Sequence, residues 1–305
     1  MKICGISDIH GEFIDIPECD TLCICGDIVG LNDQRSMDAS RKWWYNRFTS
    51  WVNRLPCEKV IITPGNHDFF LEDAYKKGYL DELKQDLSVR TNGKLVILIN
   101  EEYVYRGLKF YGCPFIRPIS FQEGRWAFED NYKGRDSIEE CCYNFIPEDT
   151  NVLITHDNPY LNAVLGMCMD HKTFKNDLYH LYGHWHGTSS HEEDRAYNCS
   201  ILDNMYNRKK GYKPIIIEVM TKEEIISLLY DELITYSKLI GKTELSLDDI
   251  KKCFDIHNEF ISQMEDEIPL PITGNVIDNV ELGPILEVED HEFDTEDYKE
   301  GGEED

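Results

Sequence analysis

Five apolar runs in this 305-residue sequence are each followed by a short polar segment with aspartate, histidine or asparagine. The five segments are Ser7–Gly11 (SDIHG), Gly26–Gly30 (GDIVG), Pro64–Asp68 (PGNHD), Thr155–Asp157 (THD) and Gly183–His186 (GHWH). Carboxylate, imidazole and amide groups without thiolates are typical ligands of divalent transition metals such as manganese, iron, zinc or nickel. The candidate ligands outnumber the four of one tetrahedral ion, so two ions are implied. A carboxylate can bridge ions roughly 3.5 to 4 Å apart, the spacing used for displacement at phosphorus.

The elements that must position these segments are short strands and intervening helices. Strands are predicted at Lys2–Ile6, Thr21–Cys25, Lys59–Thr63, Lys94–Ile99, Leu108–Cys113, Asn151–Thr155, His180–Tyr182 and Pro214–Val219. Helices are predicted within Ser36–Leu55 and Leu71–Leu87. Early alternation of strand and helix favours a parallel sheet, whereas Lys94–Cys113 and Gly183–Val219 are typical of antiparallel hairpins. A mixed α/β sandwich is therefore predicted, with the polar segments at the carboxyl ends of strands, where such sheets place ligands.

Three regions are predicted along the chain. Residues 1–220 contain all five polar segments and form one domain. Residues 221–268 are predicted to form a helical appendage, because Thr221 and Ser246 each precede acidic residues, as helix N-caps do. Residues 269–305 are predicted to be a flexible acidic tail, since positions 287–305 contain eleven Asp and Glu against one Lys.

The composition excludes several classes of protein. With 31 Lys and Arg against 58 Asp and Glu, the net charge of −27 opposes bulk nucleic-acid binding and requires a focused positive site for any phosphorylated substrate. No apolar run approaches the roughly 18 to 20 residues of a membrane span, and Met1 leads into a strand without a signal-peptide pattern. We therefore expect a cytoplasmic protein that does not bind membranes. The eleven cysteines, odd in number and irregularly spaced, are expected to be reduced thiols.

Taken in order, DIH, GDIVG, GNHD, a single histidine after an apolar strand, and GHWH resemble the signature of the calcineurin-like metallophosphoesterases over residues 1 to about 220. The resemblance implies an αββα sandwich of two facing mixed sheets. It implies that one ion is held by Asp8, His10, Asp27 and His186, and the other by Asp27, Asn66, His156 and His184. Asp27 would bridge the ions, and His67 would protonate the leaving oxygen without being a ligand. Manganese is the expected metal, with iron, zinc and nickel as alternatives.

A looser resemblance concerns the branch of the family. Ile16–Leu22, Tyr111–Phe115 and Leu153–Pro159 are similar to the phosphodiesterase-like branch that includes brain metallophosphoesterase-domain proteins and mycobacterial cyclic-nucleotide phosphodiesterases. Two departures are Gly30, where many members have Asp, and Asp157–Pro159, where a Gly/Pro-rich turn is common. Neither departure removes a ligand. The resemblance thus implies hydrolysis of phosphodiesters in a small phosphorylated or nucleotide substrate; it identifies no protein partner.

Three alternatives remain open from the sequence. The chain could be a phosphomonoesterase, because such a centre acts on either ester. It could be a non-catalytic scaffold, similar to the small retromer subunit, although His67 and all seven ligand positions are intact. A nuclease that processes DNA ends would need a basic groove or capping domain, which the acidic C-terminal region does not offer.

Overall fold

The computed structural model describes residues 1–119, 125–130, 141–175 and 177–220, together with positions 233–236, 238, 240 and 252. The predicted tail, 269–305, and most of the predicted appendage, 221–268, therefore lie outside the described residues. The domain boundaries stay predictions. No helix within the described part of the chain is long and apolar enough to cross a membrane.

The described residues form ten strands. In chain order they are β1 (Lys2–Ile6), β2 (Thr21–Cys25), β3 (Lys59–Thr63), β4 (Leu95–Ile97), β5 (Glu101–Tyr105), β6 (Leu108–Cys113), β7 (Val152–Thr155), β8 (Tyr179–Tyr182), β9 (Ala196–Asn198) and β10 (Ile215–Glu218). One sheet has the order β10-β1-β2-β3-β4 and the other β5-β6-β7-β8-β9. Each sheet is parallel except for one antiparallel pair at its edge, β1 with β10 and β5 with β6.

Five α-helices lie within residues 1–220: α1 (Met37–Lys42), α2 (Thr49–Arg54), α3 (Phe69–Lys77), α4 (Leu80–Arg90) and α5 (Ala163–His171). The described positions 233–236, 238, 240 and 252 are also helical. A π-helical segment, Trp43–Phe48, joins α1 to α2, and short 3₁₀ turns occupy Cys142–Phe145 and Glu192–Asp194. The region predicted as one helix at Leu71–Leu87 is two, because Gly78 ends α3 in the left-handed conformation (φ 78°) that favours glycine.

Successive side chains along the strands of the first sheet point to opposite faces, which explains how the sheets and helices form layers. Ile3, Cys23 and Ile61 face the second sheet and pack with residues such as Ile154 and Leu181. The intervening residues of the same strands pack on the other face against α1 to α4 and the π-helical segment. The second sheet is covered on its far side by α5 and the turn Cys142–Phe145. The predicted αββα sandwich of two mixed sheets is confirmed.

Two local predictions need correction. The antiparallel hairpin expected within Lys94–Cys113 exists, but β5 and β6 form it, whereas β4 runs parallel to β3 in the other sheet. The prediction of an antiparallel hairpin within Gly183–Val219 is wrong. Its first strand, β9, lies parallel to β8 in the second sheet, while β10 crosses over and completes the edge of the first sheet beside β1.

The cysteines of the described residues are all free, and all but the half-buried Cys57 are buried. Cys23 and Cys25 lie within β2, where their side chains join the contact between the sheets. They act as small apolar residues, as expected of reduced thiols.

Candidate metal centre

The carboxyl ends of β1, β2 and β3 from one sheet and of β7 and β8 from the other lie next to the five polar segments. The structure brings together all seven side chains predicted as ligands, and all are buried except His184, which is partly exposed. Potential ligand atoms of the six histidines and aspartates among them, together with His67, form overlapping groups of three in which every atom lies within 4.8 Å of the others. Asn66 joins them through its contact with His156. The centre therefore lies where loops of both sheets meet.

The backbone at this edge is unusual. Asp8, His10, Asp27 and His184 have φ values of 54°, 42°, 53° and 66°, in the left-handed region that residues other than glycine rarely adopt. The first two segments hold each other there, since the His10 amide donates to the Asp27 carbonyl at 2.9 Å and the Asp8 amide to the Gly26 carbonyl at 3.1 Å. Such conformations persist only where surrounding structure enforces them, and they cluster at functional sites.

Motif glycines let these segments approach one another. A Cβ atom on Gly65 would lie 2.4 Å from Asp27 Oδ1 and 2.7 Å from His156 Cε1. A Cβ atom on Gly183 would lie 1.9 Å from Ser7 Oγ and 2.6 Å from Asp8 Oδ2. Because these contacts involve buried polar atoms of the centre, any larger residue would push the candidate ligands apart.

The first ligand group consists of Asp8, His10 and His186. His186 Nε2 lies 3.3 Å from Asp8 Oδ1, and Nδ1 of the same ring lies 3.0 Å from the Asp203 carbonyl oxygen. A backbone carbonyl on Nδ1 fixes the tautomer that leaves Nε2 free to bind a metal. Burial would lower the pKa of His186, but its hydrogen bond with Asp8, the Asp8 charge and the Asp203 carbonyl together outweigh burial and raise it.

His10 tests whether a cation fits this group. Both of its ring nitrogens are buried without a hydrogen-bond partner. Its Nε2 lies 3.6 Å from Asp27 Oδ2, beyond hydrogen-bond distance. Burial lowers the pKa of His10 to about 4, so the ring is neutral near pH 7 and keeps a lone pair to donate. Because buried polar atoms are nearly always paired, a divalent ion would satisfy this side chain.

The second ligand group consists of Asp27, Asn66, His156 and His184. One oxygen of Asp27 and a nitrogen of each histidine come within 4.8 Å of one another. His156 Nδ1 lies 2.7 Å from the Cys25 carbonyl oxygen, and its Nε2 lies 2.9 Å from Asn66 Oδ1 and 3.2 Å from Asp27 Oδ1. Burial would lower the pKa of His156, but the Asp27 carboxylate raises it to about 10. Oxygen and imidazole donors therefore converge here too.

Asp27 links the two groups. Oδ1 faces His156, and Oδ2 lies 3.6 Å from His10 and 3.7 Å from His67. The His67 amide donates to Oδ1 at 2.8 Å. Burial would raise the pKa of Asp27, but the surrounding imidazoles, His156 foremost, hold it well below its usual value. A carboxylate whose oxygens face different groups can serve two cations at once.

His67 lies beside the shared carboxylate. Its ring nitrogen is within 4.8 Å of potential ligand atoms of His10 and Asp27, so distance alone does not separate a ligand from a proton donor. Nδ1 is hydrogen-bonded to Gln34 Oε1, which leaves Nε2 toward Asp27. Trp126 covers the ring with a centroid distance of 4.7 Å. Burial lowers the pKa of His67.

Asp68 belongs to the centre but was not predicted as one of its residues. Its buried carboxylate accepts hydrogen bonds from the amides of Gly65 (2.8 Å), Val29 (3.0 Å) and Ile28 (3.1 Å). It thereby ties the second polar segment to the third. Burial, assisted by the nearby Asp27 charge, raises the pKa of Asp68 to about 7. The available signal was its position directly after His67 in GNHD.

Three other residues near the centre had no sequence signal. Tyr206, with φ 60°, contacts His186 and His10 at ring-centroid distances of 5.0 and 5.2 Å. Gln34 and Trp126 contact His67, as described above. All three lie outside the polar segments, so only the fold reveals that they border the centre.

Comparison with known proteins agrees with this geometry. The sequence matches the calcineurin-like phosphoesterase family over residues 1–188. It is 28% identical over 171 residues to metallophosphoesterase domain-containing protein 1 of Homo sapiens, a match that covers 50% of this chain and 47% of that protein. It is 25% identical over 199 residues to a UPF0046 protein of Caenorhabditis elegans, covering 61% of this chain and 63% of that protein. In both cases the chain thus spans less than two thirds of its relative.

Proposed function

Because the chain belongs to the calcineurin-like phosphoesterase family, we propose that it is a two-metal hydrolase that cleaves phosphodiesters in small or nucleotide substrates. Family membership supports a metal-dependent phosphoesterase; the two ions and the diester substrate are the proposal. The observation that carries it is Asp27, whose two oxygens face separate groups of buried ligands. This arrangement supports a carboxylate that bridges two ions.

Each group has a defined role in the proposal. Asp8, His10, His186 and Asp27 hold one ion, while Asp27, Asn66, His156 and His184 hold the other. Divalent ions there, manganese by preference, supply positive charge that polarises phosphoryl oxygens and makes water a stronger acid. Only two carboxylates, Asp8 and Asp27, belong to the ligand set, so the loaded site is net positive within a chain of charge −27. A phosphate group is therefore attracted at short range.

His67 is the proton donor in this proposal. The departing alkoxide needs a proton, and Nε2 of His67 is the ring nitrogen directed toward the shared carboxylate. Its backbone amide, bonded to Asp27, fixes the residue relative to both ligand groups. General acids of this kind contribute about 10²- to 10⁴-fold to rate.

The diester preference follows from charge. A diester carries one negative charge at phosphorus and a monoester nearly two, so a chain of net charge −27 repels an approaching monoester more strongly. The looser branch resemblance points the same way. A higher kcat/KM for the monoester than for the diester would identify a phosphomonoesterase.

The test compares bis(4-nitrophenyl) phosphate with 4-nitrophenyl phosphate, using the full chain loaded with manganese. We expect a higher kcat/KM for the diester, with a gap that narrows as salt shortens the Debye length from about 10 Å at 0.1 M. Monoester preference at every salt concentration would reverse the substrate assignment. No turnover with manganese, iron, zinc or nickel would favour the scaffold alternative, and preferential cleavage of double-stranded DNA would favour a nuclease.

A further inference from the structure

The proton donor has a neutral partner on its far side. Nδ1 of His67 is hydrogen-bonded to the side-chain oxygen of Gln34. The side chain is 7% exposed, so water cannot readily replace that contact. The carboxylate oxygen nearest the other nitrogen, Asp27 Oδ2, lies 3.7 Å from Nε2. The two ring nitrogens of His67 therefore have different environments, an amide on one side and the centre on the other.

The loop that carries Gln34 is held from both directions. Upstream, the amides of Asp33 and Gln34 donate to the Gly30 carbonyl at 2.9 and 3.1 Å, which forms a turn directly after the second polar segment. Downstream, the Arg35 guanidinium lies 4.1 Å from the ring centroid of Phe69 and 4.7 Å from that of Trp126. Because Trp126 also covers His67, the loop and the imidazole share one packing unit.

We propose that Gln34 is a positioning residue that selects which nitrogen of His67 delivers the proton. An amide oxygen accepts hydrogen bonds and never donates them, so Nδ1 must carry a hydrogen in this contact. The donor form is the imidazolium, which carries a hydrogen on each nitrogen; after Nε2 releases its proton, the neutral ring keeps its hydrogen on Nδ1. The proton that moves to the leaving oxygen is therefore always the one on Nε2. The role of Gln34 in the reaction rests on the proposed function, whereas the tautomer it selects does not.

Loss of the acceptor should release two constraints. A neutral imidazole without a partner on Nδ1 distributes its hydrogen between both nitrogens. The ring can also turn about its Cβ–Cγ bond, which moves Nε2 away from Asp27. A ring with hydrogen on Nε2 alone would have to become an imidazolate to donate it, and a turned ring carries Nε2 away from the leaving oxygen. Both changes therefore lower the rate of proton delivery, and neither alters the ligand set.

The direct test is the tautomer itself. The full chain, labelled with ¹⁵N-histidine and loaded with diamagnetic zinc, is measured by two-bond ¹H–¹⁵N NMR, and His67→Ala assigns the His67 signals. We expect the Nδ1–H tautomer in the unsubstituted protein and a shift toward Nε2–H in Gln34→Met, which keeps the side-chain length. An Nε2–H tautomer in the unsubstituted protein, or no change in Gln34→Met, would overturn the proposal.

The kinetic test uses diesters with poor and good leaving groups. Gln34→Met should lower kcat roughly 10- to 100-fold for a phenyl leaving group, with KM unchanged and both metals retained. The loss should be less than about threefold for nitrophenolate, which leaves without a proton. Gln34→Glu, which restores an acceptor, should recover most of the rate. Asn32→Ala, at an exposed position of the same loop, is the matched control and should match the unsubstituted protein.

Outcomes separate this inference from the proposed function. Equal losses on both leaving groups, or loss of metal from Gln34→Met, would show a structural role and overturn the positioning assignment. An unsubstituted protein that hydrolyses no phosphoester would refute the proposed function, while the NMR result would still decide whether Gln34 selects the tautomer.

Discussion

The two ligand groups differ in how far the protein itself satisfies them. In the second group, His156 contacts the Cys25 carbonyl, Asn66 and Asp27, so both ring nitrogens have partners without any ion. In the first group, neither ring nitrogen of His10 has one. His156 of the second group is therefore held by protein contacts on both ring nitrogens, as is His186 of the first, whereas His10 of the first group has no hydrogen-bond partner in the protein. Asp27 contacts both His156 and His10, so its carboxylate couples two ligand groups that differ in how fully the protein satisfies their side chains.

The largest effect should come from Asp27→Ala, which removes the carboxylate that the two ligand groups share. We expect both ions to be lost and turnover to fall to background, because each group loses an anionic contact. Elemental analysis and a diester assay measure the two outcomes. Asp38→Ala, at an exposed position of α1, controls for the loss of one negative charge. Two metals per chain in Asp27→Ala would disprove the bridge.

The next effect concerns His67, which is near enough to Asp27 and His10 to be counted with the ligands. If it is a proton donor, His67→Ala keeps both metals and loses about 10²- to 10⁴-fold in kcat for poor leaving groups, with less loss for nitrophenolate. A drop to one metal per chain would instead place His67 in the ligand set. Equal losses on both substrates would also reject the donor role.

A pair of histidine variants tests, in metal-free protein, whether His156 and His10 differ in their contribution to stability. His156→Ala leaves a buried carboxylate and a carbonyl without their partner, which should cost about 3 to 5 kcal/mol of unfolding free energy. His10→Ala breaks no hydrogen bond, so it should cost clearly less, about 1 kcal/mol. Urea denaturation after chelation gives both values. Similar losses would mean that the two groups are equally organised by the protein.

The smallest effect is a proton released when metal binds. Because Asp27 raises the pKa of His156 to about 10, this ring carries a proton at pH 7 in the metal-free protein and must lose it to bind an ion. His10, with its pKa lowered to about 4, has no proton to lose. Metal affinity should therefore rise with pH between 6 and 8, and His156→Ala should flatten that rise. Calorimetry in buffers of different ionisation enthalpy measures the protons, and an unchanged count in His156→Ala would contradict this assignment.

The sequence predicted the centre better than it predicted the paths between its parts. The five polar segments follow strands that have short apolar sequences. Strands buried on both faces, such as β2, have such sequences, so the positions of the polar segments could be predicted. β5 was missed because Glu101 and Glu102 give it an exposed, acidic pattern typical of a loop. The crossing of β10 to β1 depends on contacts between distant segments, which local periodicity does not record.

Residues that support the centre through hydrogen bonds were not predicted, for a similar reason. Asp68 had a signal in its place within GNHD, but Gln34 acts through a hydrogen bond to another segment, and its residue type is equally common on exposed surfaces. The left-handed backbone at Asp8, His10 and Asp27 was also unforeseen, since no glycine marks those positions. In each case the tertiary structure overrides what the local residues favour.

The antiparallel edge of the first sheet sets an order of events during synthesis. Strand β1 is made well before its partner β10, which begins only at Ile215, so this edge of β1 stays unpaired while the intervening residues are made. Unpaired strand edges are templates for aggregation, which makes this nascent chain dependent on protection at residues 2–5. The His184 amide donates to the Asp8 carboxylate across 176 residues, and the candidate ligands His184 and His186 are made only after Asp8, Asp27, Asn66 and His156, so neither ligand group is complete before them. We therefore expect metal to bind late in the maturation of this protein.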